Sequence, residues 1–122
     1  MTSTIPKIIY VCAPLGGRIY KHIGEAIEYS RFVFKCGAIP IVPHFFAFSL
    51  NDKIPEERNM GLVAGRLLLL YCDEMWIFGE HITEGMVGEM KLCEETGIHM
   101  RHINKKEFLD VLGGKNNEQQ DT

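Results

Sequence analysis

The chain has 122 residues, of which 46% are hydrophobic and 24% are charged, as in ordinary globular proteins and unlike disordered chains. Its net charge of −3 argues against nucleic-acid binding, because no basic surface is available to attract phosphates. No apolar run approaches the roughly 18 residues that a membrane-spanning helix needs, and residues 1–6 lack a signal-peptide pattern. We therefore expect a cytoplasmic protein with neither a nucleic-acid nor a membrane partner.

The cysteines and histidines show no ligand spacing. The four cysteines stand far apart and include no CxxC pair, so we expect reduced, buried thiols that act as small hydrophobic side chains. A disulfide framework is the alternative, but a chain of this size does not need one. His99 and His102 lie too near the end of a predicted strand to share one face, and we predict no metal and no cofactor. The cysteines are Cys12, Cys36, Cys72 and Cys93.

Strands and helices alternate along the first half of the chain. The β-branched and aromatic run 7–13 predicts a strand that ends in a tight, glycine-containing loop. Apolar residues then recur at helical spacing over 19–36, which predicts a helix. The run 38–42 predicts a second short strand, and residues 47–54 resemble a loop.

The same alternation continues in the second half. Pro55 suits the first turn of a helix that runs to about Tyr71. A third strand, a helix capped by Thr83, a fourth strand and a short helix capped by Asn104 follow. These elements are predicted at 73–78, 83–96, 98–103 and 104–112. Residues 1–112 then form one domain, and residues 113–122 are predicted to be a flexible tail because they have almost nothing to bury.

This order predicts a single-domain, Rossmann-like α/β fold with a parallel sheet of four or five strands and helices on both faces. In such sheets, ligands bind beyond the carboxyl ends of the strands. The topology therefore brings three segments to one rim, namely 13–18, 43–48 and 79–85. We expect the functional site there.

Glu89 has the most informative position in the sequence. At about 100° per residue, it falls inside the apolar arc of the helix over 83–96. An unpaired buried charge is costly, so this carboxylate must be paired, protonated or directed into a cavity. The arc consists of Met86, Met90, Leu92 and Cys93.

Gly85 and Gly88 lie beside Glu89 on the same flank and remove side chains from the adjacent surface. The combination resembles a pocket lined by backbone, with one carboxylate in its wall. The alternative is a structural glutamate held by a tyrosine or an arginine, with glycines that allow close packing of the helix on the sheet.

The helix over 55–71 is apolar nearly all round, which indicates that it is buried on two sides. In a domain of this size we expect the second buried side of this helix to pack against another copy of the chain, so we predict a homo-oligomer. A thick monomer core is the alternative. Gly61 and Gly65 share a face with Arg58, which can reach an anion or simply remain solvated.

Other candidates lie near the predicted rim. Arg18 follows Gly16 and Gly17 and precedes a helix, an arrangement that offers backbone N–H groups and a cation to a phosphate. Tyr10 ends the first strand and either faces the site or belongs to the core. His44 is either a ligand contact or an ordinary loop histidine, and Trp76 is most simply a core residue.

Three segments together resemble the nucleoside 2-deoxyribosyltransferase superfamily, over roughly residues 7–103. They are Tyr10–Gly17 (YVCAPLGG), Cys72–Asp73, and Thr83–Glu89 (TEGMVGE), the last ending sixteen residues after Asp73. The superfamily includes the 2′-deoxynucleoside 5′-phosphate N-hydrolases and small phage and bacterial proteins of unassigned role. The resemblance implies a nucleoside or nucleotide partner, and a host-cytoplasm location if a phage encodes the chain.

The resemblance also implies roles for individual residues. Glu89 corresponds to the carboxylate that acts at the sugar C1′, where the transition state resembles an oxocarbenium ion. Tyr10 corresponds to the tyrosine at the end of the first strand. Thr83 and Gly85 correspond to the residues at the helix start that hold sugar or phosphate. Gly16, Gly17 and Arg18 occupy the first loop, where some members hold a 5′-phosphate, although this loop does not match theirs residue for residue. We add His44, Arg58, Gly79 and Met86 as candidate binding residues.

One departure from the family pattern concerns catalysis. The hydrolases have an aspartate that assists the departing base eight residues before the position of Asp73, and this chain has Gly65 there. Loss of general acid assistance typically costs 10²–10⁴-fold in rate. Arg66, Asn59, Glu57 and His44 are possible substitutes. Two hypotheses follow: an enzyme that cleaves or transfers an N-glycosidic bond, or an inactive binder that sequesters or senses a nucleotide-derived metabolite, for example a phage counter-defence sponge.

Overall fold

The computed structural model describes residues 5–113 and contains one parallel sheet of four strands with helices on both faces. The strand order is β2-β1-β3-β4. The strands are β1 (Ile8–Cys12), β2 (Ile39–Ile41), β3 (Glu74–Ile77) and β4 (His99–His102). The helices are α1 (Ile19–Lys35), α2 (Pro55–Leu70), α3 (Glu84–Thr96) and α4 (Lys105–Gly113), with a short 3₁₀-helix at Pro43–Phe48.

The predicted fold class is confirmed, and each predicted strand and helix forms with ends that differ by at most one residue. One segment differs from the prediction, since residues 47 and 48 belong to the 3₁₀-helix and not to a loop. Pro43 begins this helix because proline's fixed φ suits a first helical turn, where no N–H is required. The predicted tail lies outside the described residues, except for Gly113 at the end of α4.

Alternation along β1 divides the core into two layers. Ile9 and Val11 pack with Phe32 of α1 on one face of the sheet, where Trp76 is also buried as predicted. Tyr10 and Cys12 point to the other face. The second layer is completed by residues of α2 and α3, including Leu69, Met86 and Cys93. Because successive side chains of a strand point to opposite faces, Tyr10 is directed towards the layer that holds α2 and α3.

Three of the four cysteines are buried free thiols, but Cys36 is exposed at the end of α1, which corrects the prediction that all four are buried. Cys36 is the residue that follows α1, where the chain turns on the surface. Among residues 5–113, no helix is both long enough and apolar enough to cross a bilayer.

The strand order places a topological switch point between β1 and β3. The chain leaves β1 towards β2 in one direction and continues from β3 towards β4 in the other, so the loops after these two central strands diverge. The register sets Tyr10 beside Met75 and Cys12 beside Ile77, which brings the carboxyl ends of β1 and β3 to the same level. A crevice is expected where the two loops separate.

Candidate functional site

A cavity of about 410 Å³ lies at the carboxyl ends of the strands. This volume is within the range of typical small-molecule sites, about 300–1,000 Å³. All three segments that the topology predicted at the rim contribute to its lining, and one face of α2 completes it. From the rim segments these residues are Ala13, Leu15, Gly16, Pro43, His44, Phe46, Ala47, Thr83, Glu84 and Gly85.

Tyr10 and Glu89 form a hydrogen-bonded pair in the wall of this cavity. The Tyr10 hydroxyl donates to Glu89 Oε2 at an O···O distance of 2.5 Å. Tyr10 is fully buried and Glu89 is half-buried. When Glu89 is ionised, an O–H···O⁻ bond of this kind is stronger than a bond between neutral groups, and the bond fixes the orientation of the carboxyl group. The two interpretations of Tyr10, core residue and site residue, therefore describe the same side chain.

Burial raises the pKa of Glu89, because taking the carboxylate out of water disfavours its charged form. Hydrogen bonds from Tyr10 and Cys12 and the positive charge of Arg66 act in the opposite direction, but burial prevails. The same surroundings raise the pKa values of the Tyr10 hydroxyl and the Cys12 thiol, which therefore stay protonated and act as donors. The carboxylate is stabilised by donors on one side and open to the cavity on the other.

Gly65 lies directly against the Tyr10 hydroxyl of this pair. A Cβ atom at Gly65 would lie 3.0 Å from the Tyr10 hydroxyl oxygen and 3.9 Å from the Cβ of Pro43. The position at which the resembled hydrolases have an aspartate thus adjoins the hydroxyl that holds the Glu89 carboxylate, and here that hydroxyl occupies the space that a side chain would need. Where the resembled hydrolases have a pair of carboxylates, this chain has one carboxylate, Glu89, and one hydroxyl, Tyr10.

Arg66 lines this part of the cavity, is exposed, and forms no ion pair with any of residues 5–113. Its guanidinium lies over the backbone of α3, and a Cβ atom at Gly88 would be only 2.7 Å from Nη2. The absence of a side chain at Gly88 therefore makes room for the arginine.

His44 is buried, with 3% of its surface exposed, and is not the ordinary loop histidine that we considered. Its Nε2 lies 3.1 Å from the carbonyl oxygen of Ala13, which can only accept, so Nε2 carries the proton. Nδ1 has no hydrogen-bond partner among the described residues. Burial lowers the pKa of His44, so the ring is neutral and holds the 3₁₀-helix against the loop after β1.

The start of α3 supplies further polar groups. Thr83 is the N-cap of this helix, as predicted, and its hydroxyl oxygen accepts from the backbone N–H of Met86 at 3.3 Å. The first N–H groups of any helix have no partner within the helix and are suited to anions or carbonyl oxygens. Since Thr83, Glu84 and Gly85 line the cavity, these N–H groups lie at its edge. Met86 lines the cavity from below and is buried.

The first turn of α2 closes another side of the cavity. Arg58 lines it and forms a loose ion pair with Asp52, with 4.0 Å between Nε and Oδ1. Glu57 accepts a hydrogen bond from the backbone N–H of Asn51 at 2.7 Å and so holds the loop before α2. This carboxylate therefore has a structural partner, which makes it a poor substitute for the absent aspartate.

Three of the predicted binding residues do not line the cavity, namely Gly17, Arg18 and Gly79. Gly17 has a φ of +85°, which permits the turn into α1, and Arg18 is the exposed N-cap residue of that helix. Gly79 has a φ of +92° and lies against Pro14 and the hydroxyl of Tyr29. The candidate residues that the structure brings together are Tyr10, Gly16, His44, Arg58, Thr83, Gly85, Met86 and Glu89.

The face of α2 is the part of the site that the sequence did not identify in full. Leu62 and Arg66 line the cavity beside Gly61 and Gly65, and Leu50 covers it from the preceding loop. The glycine pair on the Arg58 face was the available signal, because glycines on one side of a helix leave space there. Within the described part of the chain, no three histidine, cysteine or acidic residues are grouped so that they could hold a metal.

The arrangement provides an oriented carboxylate, a phenol that donates to it and two guanidinium groups around a mainly apolar cavity. A carboxylate held in this way can act as a nucleophile or stabilise positive charge on a carbon atom. It can equally serve as an acceptor for the hydroxyl groups of a bound molecule.

Comparison with known proteins gives a family but no function. Among curated proteins, none matches this chain. A family model described as a domain of unknown function, DUF7768, matches residues 7–103, which include all four strands and every residue of the Tyr10–Glu89 pair and its surroundings. Because the match covers most of the sequence, the chain belongs to the DUF7768 family.

Proposed function

We propose that this protein binds a nucleoside or a nucleoside 5′-phosphate in the cavity and cleaves or transfers its N-glycosidic bond through Glu89. The observation that carries the proposal is the half-buried Glu89 carboxylate, oriented by the Tyr10 hydroxyl at 2.5 Å in the wall of the cavity at the strand ends. A structural glutamate would be expected to face a cation or the interior, with no cavity beside it.

The proposed reaction has two steps. A Glu89 oxygen forms a bond to C1′ while the C1′–N bond breaks, and its electron pair leaves with the base. In hydrolysis, water then attacks C1′, the Glu89 carboxylate is released, and one proton of the water reaches the base. A second nucleobase in place of water gives transfer. The Tyr10 hydroxyl stabilises Glu89 when it leaves as a carboxylate in the second step.

Gly65 favours a second candidate function, in which the protein binds such a molecule without cleaving it. The aspartate that assists the departing base in the resembled hydrolases has no counterpart here, and the Tyr10 hydroxyl occupies the adjacent space. A protein of this kind would sequester or sense a nucleotide-derived metabolite. The molecule would bind in the same cavity, and Glu89 would accept hydrogen bonds from its sugar hydroxyl groups.

The test incubates the purified protein with ribo- and deoxynucleosides and their 5′-monophosphates, and measures free base by chromatography. Base release that Glu89→Gln abolishes supports the enzyme. No release, together with a rise in Tm for one nucleotide, supports the binder, because ligand at 100 times its Kd adds about 2.7 kcal/mol. Neither base release nor a change in Tm with any of these compounds would overturn both candidates.

We further propose that two copies of the chain associate through α2. A stripe of apolar side chains on this helix, the α2 stripe, is about half-exposed although its members recur at intervals of three and four residues. It lies on the side of α2 opposite the residues that line the cavity. In a two-fold dimer the same patch of each copy meets the other, so the stripe of one copy would pack against the stripe of the second. The α2 stripe consists of Met60, Val63, Leu67 and Leu70.

A further inference from the structure

We propose that Arg66 binds the base of the nucleoside and selects bases that present two adjacent hydrogen-bond acceptors on one edge, such as N7 and O6 of a 6-oxopurine. This inference rests on the proposed function and defines its substrate class. It is carried by the position of Arg66 on the cavity wall, its lack of an ion-pair partner among the described residues, and the space that Gly88 leaves for it.

The guanidinium of Arg66 is available for a ligand. Guanidinium carries five N–H donors and cannot be deprotonated in a protein. The other arginine of the cavity, Arg58, is paired with Asp52, whereas no carboxylate in residues 5–113 lies within ion-pair distance of Arg66. An unpaired guanidinium beside a cavity favours a planar partner that can accept two hydrogen bonds.

Gly88 fixes where this guanidinium lies. The atom nearest to the position of a Cβ at Gly88 is Nη2, at 2.7 Å, followed by Cζ at 3.6 Å and Nε at 3.9 Å. The group therefore approaches the backbone of α3 with its Nη2 end, directly beside the next residue, Glu89. Any side chain at residue 88 would displace the guanidinium.

The position relative to Glu89 assigns Arg66 to the base and not to a phosphate. The base is attached to C1′, the atom that Glu89 would attack from the opposite side, so the base lies one atom beyond the point of attack and nearer to Glu89 than a 5′-phosphate does. Arg66 is within electrostatic reach of Glu89 and one residue from Gly65, which touches the Tyr10 hydroxyl. Arg58 lies two turns earlier on α2, about 12 Å along the helix axis, and is better placed for the far end of a ligand.

The guanidinium would also replace part of the absent acid. When the C1′–N bond breaks, the departing base takes the electron pair and becomes negatively charged. Two N–H donors and a positive charge at its acceptor edge stabilise that charge without transferring a proton. A 6-aminopurine presents an N–H₂ donor at the same edge, which the guanidinium donors oppose.

The experiment measures the Kd of inosine and adenosine, each with and without a 5′-phosphate, by calorimetry on the Glu89→Gln protein, which retains the cavity but cannot form the ester. The expected ratio favours inosine by about tenfold to a hundredfold. Arg66→Met, which removes both the donors and the charge, and Gly88→Ala, which displaces the guanidinium, should each bring the ratio close to one. Arg31→Lys, on α1 and outside the cavity, should leave the ratio unchanged.

The outcomes separate this inference from the proposed function. Equal affinities for inosine and adenosine, or a preference that both variants retain at an unchanged Tm, would overturn the role of Arg66 and leave the proposed function in place. Weaker binding of the phosphates alone in Arg66→Met would show that Arg66 binds phosphate, which also overturns its proposed role. If none of the four compounds binds to the unsubstituted protein or to the Glu89→Gln protein, the role of Arg66 is overturned, and the assay with the full panel of ribo- and deoxynucleosides decides the proposed function.

Discussion

Glu89 meets two requirements that oppose each other in most proteins. A nucleophilic carboxylate must be ionised, but it is most reactive where water is excluded, and exclusion of water favours the neutral acid. In this chain, burial raises the pKa of Glu89, while the Tyr10 hydroxyl, the Cys12 thiol and Arg66 limit the increase. The balance leaves a carboxyl group that can ionise and still face a mainly apolar cavity.

Glu89→Gln is expected to become more stable relative to the unsubstituted protein as the pH rises. The folded state holds the Glu89 proton more tightly than the unfolded chain does, so ionisation costs stability above the raised pKa and costs nothing below the unfolded pKa, about 4.3. Glutamine does not titrate, and its oxygen still accepts from Tyr10. Urea unfolding of both proteins between pH 4 and pH 8 measures the difference.

The control for this measurement is Glu94→Gln, which removes a carboxylate from the exposed face of the same helix. A stability difference for Glu89→Gln that is constant with pH, or that moves in the opposite direction, would show that Glu89 is not strained by burial in the folded protein.

Tyr10→Phe is expected to raise the pKa of Glu89 further, because the Tyr10 hydrogen bond lowers it. The variant should also lose about 1–3 kcal/mol of stability at neutral pH, since the buried carboxylate loses its donor. The ¹³C chemical shift of the Glu89 carboxyl group, followed against pH, reports the titration directly. Tyr29→Phe, on the other face of the sheet, should leave that titration where it was; an identical midpoint in Tyr10→Phe would contradict the account.

At the scale of elements, α2 combines two glycines with different surroundings on one face. A Cβ at Gly61 would meet only the end of the Leu50 side chain, at 3.4 Å, whereas a Cβ at Gly65 would lie 3.0 Å from the Tyr10 hydroxyl oxygen. Leu50 can move, but the Tyr10 hydroxyl is buried and held by Glu89. The glycine at position 65 is therefore required by the Tyr10–Glu89 pair.

Gly65→Ala is expected to destabilise the protein by about 1–3 kcal/mol, because the added methyl group must displace the Tyr10 hydroxyl. Gly61→Ala is the matched control on the same helix and should be as stable as the unsubstituted protein or up to about 1 kcal/mol more stable, since alanine favours helices. Thermal and urea unfolding measure both. A Gly65→Ala protein at least as stable as Gly61→Ala would show that the contact with Tyr10 does not constrain this position.

The sequence predicted the elements well because most of its signals are local. Proline at the start of α2, the Thr83 cap of α3 and the change from strand to helix periodicity act over a few residues. The apolar arc of α3 correctly placed Glu89 beside buried Met86 and Cys93. The 3₁₀-helix at Pro43–Phe48 was missed because its aromatic residues follow neither period.

The missing parts of the site depend on contacts between distant elements. Sequence alone does not show that Arg66 of α2 crosses to Gly88 of α3, or that the buried His44 ring contacts Ala13. Gly79 was placed at the site because it follows β3, but its positive φ carries the chain towards Pro14 and Tyr29 instead. A residue that follows a strand is predicted to lie at the rim of the sheet, but the sequence does not show whether its loop turns towards the cavity or away from it.

At the scale of the whole molecule, α2 has the cavity on one side and the α2 stripe on the other. The exposure of Leu67 and Met60, at 55% and 57%, contradicts the alternative in which a thick monomer core covers this helix. A second copy bound to the stripe would cover apolar surface and leave the cavity open, because the two lie on opposite sides of α2. Association would also hold Arg66 and Gly65 in place by restraining the helix.

Leu67→Glu is expected to convert a dimer into a monomer, since a charge at the centre of the α2 stripe would have to be buried without a partner. Light scattering coupled to size-exclusion chromatography measures the mass. Phe34→Ser, which changes an exposed apolar residue of α1, should keep the mass of the unsubstituted protein. A single-chain mass for the unsubstituted protein at high concentration would contradict association through α2.

The most direct test is a crystal structure of the Glu89→Gln protein with the nucleoside or nucleotide from the panel that raises its Tm most. The account predicts a sugar in the cavity with C1′ about 3–3.5 Å from the substituted side chain, and with the Tyr10 hydroxyl still bonded to that side chain. A ligand bound elsewhere, or a sugar turned so that C1′ faces away from residue 89, would contradict the central claim that Glu89 acts at C1′ of a bound nucleoside.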